Sequence, residues 1–316
     1  MAEVADILPA RSLASSARFP TRPDRVAARE SRHAVALVAP AVGLMLVLLF
    51  GPTAAALIIS CTDWEFGAAA ARFVGLGNFR ALAADPVFWK ALGNTLLYVA
   101  VVVPACVGGG LGLALLIESR QRFRTFYRTA HFLPVMSTLV AMAVVWQTLL
   151  HPTIGLVNQV FHVVGLEGRN WLREEGTALF ALALIGIWQN LGYAMVLFMA
   201  GLRSIPRDLY HAAEIDGADS ALDRLRTVTL PLLGPVTMFV LVMMAVRAFQ
   251  LFETVHVLTK GGPNKASEVL LHLIYVESFE FLRTGRGAAL TVIYLAIVVG
   301  ITMLQTKLVE RRVHYA

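Results

Sequence analysis

Charge is what this 316-residue chain has least of: Asp, Glu, Lys and Arg together make up 15% of it, against roughly 25% in an average soluble domain. Hydrophobic residues make up 57%, and the mean hydropathy is +0.67. Together with several apolar runs of about 20 residues, that deficit points to a polytopic membrane protein rather than a soluble enzyme. Cysteine is scarce as well. Cys61 and Cys106 offer neither metal-ligand spacing nor a disulfide framework, which leaves them as small apolar packing residues. No G-x-x-x-x-G-K-[ST] occurs. Gly261-Gly262-Pro263-Asn264-Lys265 has the wrong spacing and a proline, so it reads as a turn and the chain does not hydrolyse ATP by itself. The histidines are scattered, none four residues from another, and no serine lies in a nucleophile elbow, so neither a metal site nor catalysis is expected. The apolar runs also lack deep acids, which argues against a stand-alone ion-coupled transporter, the alternative from a different class.

What the chain does have is six long apolar runs, at about residues 34–60, 92–117, 130–150, 177–200, 231–251 and 288–308. Each is long enough to cross a hydrocarbon core of roughly 30 Å at about 1.5 Å per residue, so the expected fold is an all-α membrane protein. Residues 1–33, with Arg11, Arg18, Arg22, Arg25, Arg29 and Arg32, read as a disordered basic tail. The run that follows is too long for a signal-peptide core. Positive charge alternates between connections. The tail, 118–129 (Arg120, Arg122, Arg124, Arg128), 201–227 (Arg203, Arg207, Arg224, Arg226) and the C-terminal end (Lys307, Arg311, Arg312) are dense in it. The connections at 61–91, 152–176 and 252–287 are longer and less basic. The net charge of +6 is therefore a topology signal that puts both termini in the cytoplasm, and not a nucleic-acid footprint.

Polar groups within the runs are candidate pathway residues. Gln147 follows Trp146, Gln189, Asn190 and Tyr193 follow Trp188, and Gln250 lies between Phe249 and Phe252. Aromatic faces beside amides suit a sugar, which presents C–H patches next to hydroxyls. Hydrogen bonding between helices uses the same residue types. Arg247 and Glu253 stand towards one end of the fifth run, where either snorkelling to the interface or a substrate contact accounts for them. Gly108, Gly109, Gly110 and Gly112 indicate close helix packing. Between 267 and 281, apolar Val269, Leu270, Leu273, Ile274 and Val276 recur at helical spacing, which fits a helix on the membrane surface or one packed on neighbouring protein.

The most informative stretch is polar: IPRDLYHAAEIDGADSALDRLRTVTLP, from Ile205 to Pro231. A connection of this length with helix-forming composition is not a plain turn. Residues 208–216 form a short helix with Leu209, Ala212 and Ala213 on one side, Gly217 permits a sharp exit, and Leu222, Leu225 and Val228 mark a second helix leading to Pro231.

This stretch resembles the cytoplasmic E-A-A-x3-G-x9-I-x-L-P loop of the permease subunits of binding-protein-dependent ABC importers. His211-Ala212-Ala213, Asp216-Gly217 and Val228-Thr229-Leu230-Pro231 match it, with His211 in the glutamate position and one extra residue after Gly217. Glu214, one helical turn on, is a candidate substitute for the missing carboxylate. Phe132-Leu133-Pro134, Trp146, Pro152, Gly155, Asn158, Trp171, the run Trp188–Tyr193, Ala200-Gly201-Leu202 and the turn Thr259-Lys260-Gly261-Gly262-Pro263 are similar to the carbohydrate-uptake branch, of the maltose and glycerol-3-phosphate permease type.

The resemblance implies a type I importer permease fold with a coupling helix at 205–231. It also implies a heterodimer with a second permease, two ATPase subunits that use ATP and Mg, and an extracytoplasmic solute-binding protein. No cofactor bound by this chain is implied. His211, Ala212, Ala213, Glu214, Asp216, Gly217, Leu230 and Pro231 are the implied ATPase-coupling residues. Gln147, Gln189, Asn190, Tyr193, Arg247, Gln250 and Glu253 are the pathway candidates, and the imported solute is expected to be a sugar, glycerol 3-phosphate, a polyol or another small solute.

Overall fold

The computed structural model describes residues 24–119 and 123–310, which excludes Arg120, Arg122, Arg311 and Arg312 of the charge count and residues 1–23 of the expected tail. Residues up to Ala55 and those from Ala56 onward cluster as separate units. In the first, α1 (Asp24–Met45) continues through one wider π turn (Leu46–Phe50) into α2 (Gly51–Ile59). The helix starts at Asp24, so residues 24–33, assigned above to the tail, are helical. Ala, Arg and Glu there are good helix formers, which the basic composition had masked.

The second unit begins with α3 (Gly77–Ala83), α4 (Pro86–Ser119), α5 (Arg124–Met136), α6 (Leu139–Leu149) and α7 (Leu156–Val163). It continues with α8 (Ala178–Ser204), α9 (Arg207–Ile215), α10 (Ala221–Arg224), α11 (Leu230–Leu232), α12 (Gly234–Phe249), α13 (Leu270–Tyr275) and α14 (Thr284–Glu310). No strand is present among the described residues, only an isolated bridge between Thr62 and Phe73.

Among the described residues, four helical stretches are long and apolar enough to cross a membrane: Ala34–Ile59, Pro86–Ser119, Ala178–Ser204 and Thr284–Lys307. The second starts six residues before the apolar core read from sequence. For α4 the reason is its start: Asp85 Oδ1 accepts the Val87 amide at 2.8 Å, and Pro86 opens the first turn. The third expected span is broken inside its length, and the fifth opens at a bend. α5 and α6 meet at 102°, and the helical stretch Ala221–Leu232 meets α12 at 71°. If each bent pair counts as one crossing, the total is six.

Both bends have local causes. The carbonyl of Pro134 is taken by the amide of Ser137 at 3.3 Å and by its hydroxyl at 2.6 Å, and Ser137 itself is extended, so α5 cannot run on into α6. The second bend falls at the fully buried Leu233, after Pro231 rather than at it. Pro235 in the next turn has no N–H to return to the preceding helix, so a new helix starts at Gly234.

α8 is the centre of the unit. Leu182, Ile185, Met195 and Phe198 on it are fully buried, together with Cys106 of α4 and Val240 and Met244 of α12. Cys106 is thus a packing residue, whereas Cys61 is half-buried. Close approach is possible because a side chain at Gly110 would meet Ala194, and one at Gly192 would collide with the backbone of His131 on α5. Gly108 and Gly112 have nothing near them, so only part of the glycine run is used for packing within this chain. A second, smaller core (Leu82, Phe88, Ala91, Leu270, Leu273, Ala289, Leu290) lies at the opposite end from the 205–231 stretch. There α13 and the π turn after it (Val276–Glu280) bury Leu270, Leu273 and Val276. The apolar face of the 267–281 stretch is therefore packed on protein.

Replacing Gly192 by valine forces α5 off α8. Overpacking of this kind costs about 1–3 kcal/mol, and the melting temperature of the purified protein in detergent is expected to fall by roughly 5 °C. An unchanged melting temperature for G192V would show that this contact is not a tight one.

Candidate functional site

The 205–231 stretch is a structured hairpin of helices. α9 starts after Pro206, with Asp208 in its first turn where a carboxylate complements the helix dipole. It ends in a reciprocal cap: the Ala218 amide donates to the Ala213 carbonyl at 2.8 Å and the Gly217 amide to the Glu214 carbonyl at 3.1 Å. The cap requires the left-handed backbone of Gly217, whose φ is +93°. Ser220 caps the returning helix by accepting from the Asp223 amide at 3.1 Å. α10 then passes through a π turn (Leu225–Thr229) into α11, so the return arm is continuously helical up to the bend at Leu233.

Two side-chain contacts tie the arms together. Arg224 pairs with Glu214, and Tyr210 Oη lies 3.1 Å from Thr229 Oγ1. Tyr210 and Ala213 pack against the main core beside the buried Ile205, Val228 and Leu233. The outward face presents His211, whose side chain is 73% exposed, and Ile215 at 87%. A cleft of about 650 Å³ between the arms is lined by Leu209, Ala212, Ala213, Asp216, Gly217 and Pro231 among others. Leu230 is exposed on the return arm.

Glu214 is not a free substitute for the missing glutamate. It lies 3.8 Å from His211 Nδ1 and is engaged by Arg224, so its charge serves the loop's own closure. Arg224, counted above only as a topology charge, is thus a structural partner that sequence spacing did not single out. Glu118 was missed altogether. It pairs with Arg124 and lies 3.6 Å from Arg203, joining the end of α4, the start of α5 and the end of α8 beside the loop.

Of the pathway candidates, three come together. The Arg247 guanidinium stacks over the Tyr193 ring at 4.2 Å, and its Nη1 is 3.5 Å from Asn190 Oδ1, at the long limit of hydrogen-bonding reach. Asn190 also donates to the Gly186 carbonyl at 2.9 Å. It sits near the midpoint of α8, roughly 20 Å from either end. The guanidinium therefore turns towards the middle of α8, although Arg247 itself lies exposed in the last turn of α12. Trp146 and Trp188 meet edge to face at 5.4 Å, bringing α6 against α8. Among the described residues, the side chains of Gln147, Gln189, Gln250 and Glu253 find no hydrogen-bond or ion-pair partner.

At the opposite end, Thr259–Pro263 forms a turn in which Ser267 Oγ donates to Thr259 Oγ1 at 2.7 Å and approaches the Gly262 carbonyl at 2.6 Å. Asn94 of α4 donates to the carbonyls of Lys265 and Glu268. The fully buried Glu268 contacts Lys265 at 3.0 Å and His272 at 2.5 Å. Asn158, also fully buried, donates to the carbonyls of Pro152 and Arg169 and accepts from Trp171 Nε1 at 2.7 Å. These motif residues hold loops in place. Among the described residues, no group of three or more His, Cys, Asp or Glu side chains is placed to hold a metal ion.

Residues 107–315 match the family of binding-protein-dependent transport system inner membrane components, and the chain belongs to that family. It is 32% identical over 268 residues to the probable ABC transporter permease protein YurN of Bacillus subtilis, a match covering 84% of this chain and 91% of that protein. It is 33% identical over 282 residues to the sn-glycerol-3-phosphate transport system permease protein UgpA of Agrobacterium fabrum, covering 88% and 95%. A crystal structure of a bacterial alginate ABC transporter, in complex with alginate pentasaccharide-bound periplasmic protein, contains a chain that matches with a TM-score of 0.79 at 21% identity, covering 90% of this chain and 96% of that one. That match shows the fold.

Substituting Arg224 by alanine removes the tie between the two arms. A half-exposed pair of this kind contributes up to about 1 kcal/mol, so amide hydrogen exchange in residues 207–217 is expected to quicken by up to about fivefold. Exchange at the wild-type rate would mean that the pair does not stabilise the loop.

Proposed function

We propose that this chain is half of the translocation pathway of an ATP-driven importer of a sugar or a small sugar-derived solute, a class that includes glycerol 3-phosphate and polyols. It works in a prokaryotic cytoplasmic membrane, with both termini and the 205–231 loop in the cytoplasm. A second permease completes the pathway, two ATPase subunits that use ATP and Mg lie beneath the loop, and a solute-binding protein docks on the outer face. The chain itself binds no nucleotide or cofactor, and nucleic acid is not a partner. Support for the solute class comes from the aromatic and amide side chains on α8 and from relatives named for glycerol-phosphate and alginate transport.

The observation that carries the reading is the closed loop. Its two arms run directly into α8 and α12, the helices that bear Asn190 and Tyr193 on one side and Arg247 on the other. His211, Ala212, Ala213, Asp216 and Ile215 form the surface a partner would grip. Force applied there moves a stapled unit rather than a slack connection, so it is delivered to both helices together. With Glu214 held by Arg224, docking at this face relies on shape and apolar contact more than on a free carboxylate.

Gly217→Val is the direct test. A β-branched residue at φ +93° costs about 1–2 kcal/mol and dissolves the cap that ends α9. In liposomes holding the assembled importer, uptake is expected to be lost and ATP hydrolysis to stop responding to loaded binding protein, while the chain still inserts. Normal uptake by G217V would sink the coupling role. Solute flux through this chain alone, driven by an ion gradient, would sink the importer reading.

A further inference from the structure

We propose that Arg247 reads a negative charge on the transported solute, so that the pathway accepts a carboxylate- or phosphate-bearing small molecule and discriminates against its neutral counterpart. This rests on the importer reading above and adds the chemical class of what is carried.

Cations elsewhere in the described structure show what a satisfied one looks like. Arg124 and Arg203 meet Glu118, Arg224 meets Glu214, Lys265 meets Glu268, and Arg286 meets both Asp85 and Glu277. Arg247 meets no acid. Its partners are one neutral amide oxygen and one ring face, both on α8. Glu253, the acid nearest to it in sequence, forms no ion pair with it or with anything else described.

An arginine within an otherwise apolar spanning stretch, with no acid beside it, is costly to retain unless something neutralises it there. The geometry leaves room for that. Asn190 engages one nitrogen and Tyr193 one face of the plane, and most of the five N–H donors remain open on an exposed side chain. A planar guanidinium held in this way presents a fork that matches the paired oxygens of a carboxylate or phosphate. A hydroxyl of a neutral sugar is able to accept one of these bonds but leaves the charge uncompensated. A site built around an uncompensated charge disfavours the analogue that lacks the counter-charge.

Position strengthens the argument. Arg247 is on α12 and its two contacts are on α8, the helices that the 205–231 loop connects. The placing of the guanidinium on Asn190 and Tyr193 thus depends on how α12 sits against α8.

The test uses the complete importer in ATP-loaded liposomes, supplied with an equimolar mixture of glucose, glucuronate, glucose 6-phosphate, glycerol and glycerol 3-phosphate, with mass spectrometry of what accumulates. The wild type is expected to accumulate anionic members and leave the neutral ones behind. Whether glucuronate or a phosphate ester dominates distinguishes a carboxylate from a phosphate substrate. Arg247→Gln is expected to lower anion uptake by about ten- to a hundredfold, the loss of one charged hydrogen-bonded contact, with Arg247→Lys retaining part of it. Accumulation of neutral members in preference to anions by the wild type overturns the proposal, and needs no variant to fold. Undiminished anion uptake by an R247Q protein that elutes as the intact complex overturns it too. If the wild type accumulates no member in an ATP-dependent way, the importer reading itself fails, a separate outcome from a neutral preference.

Discussion

A hydrogen-bonding group carried into hydrocarbon has to find its partner within the protein, and most of this structure follows from that constraint. It makes the spans helical, and it permits them to break only where the freed groups are answered locally. At Pro134 the answer is Ser137, whose amide and hydroxyl both take the orphaned carbonyl. At the α4 end of the bundle Glu118 meets Arg124 and Arg203, and at the other end Glu268 meets Lys265 and His272. The charged groups thus gather at the two ends, and the middle is left to close apolar packing around α8. Arg247 is conspicuous against this background because its partners in the bundle are neutral.

Packing and polarity together explain why the 205–231 loop is stiff. α8 is clasped by α4 and α5 at positions where glycine lets backbones approach, so it moves as part of a body and not as a lone rod. The loop that leaves it is closed twice, by Glu214 with Arg224 and by Tyr210 with Thr229, and its return arm stays helical up to Leu233. The bend at Leu233 then redirects the chain into α12. The loop thus joins two helices whose facing side chains form the polar contact near the middle of α8.

Much of the fold was legible in the chain itself. Apolar runs of spanning length and a polar 205–231 stretch with Gly217 in its middle are local properties, and local properties survive the lack of three-dimensional context. The break inside the third span was not legible because hydropathy is blind to direction: 130–150 is continuously apolar whether or not the helix turns inside it. The α1 boundary was misplaced because arginine is both a marker of basic tails and a good helix former. Glu118 escaped notice because its partners lie 6 and 85 residues away in sequence, and no periodicity records such pairs.

The candidate site divides along the same line. By itself the sequence determined that the chain is a helical membrane protein of the importer-permease kind, that it lacks a phosphate loop, and which side chains had the chemistry to matter. Those are questions of composition and spacing. Only the tertiary structure decided that Glu214 is spent on Arg224, that the 267–281 helix packs on protein, and that Arg247 turns to Asn190 and Tyr193 while Gln147, Gln189, Gln250 and Glu253 stay unpartnered among the described residues. Each of these depends on which way a side chain points and on what a distant helix brings to meet it. Burial and pairing are properties of the assembled bundle, and a residue's identity sets only which partners it is able to accept.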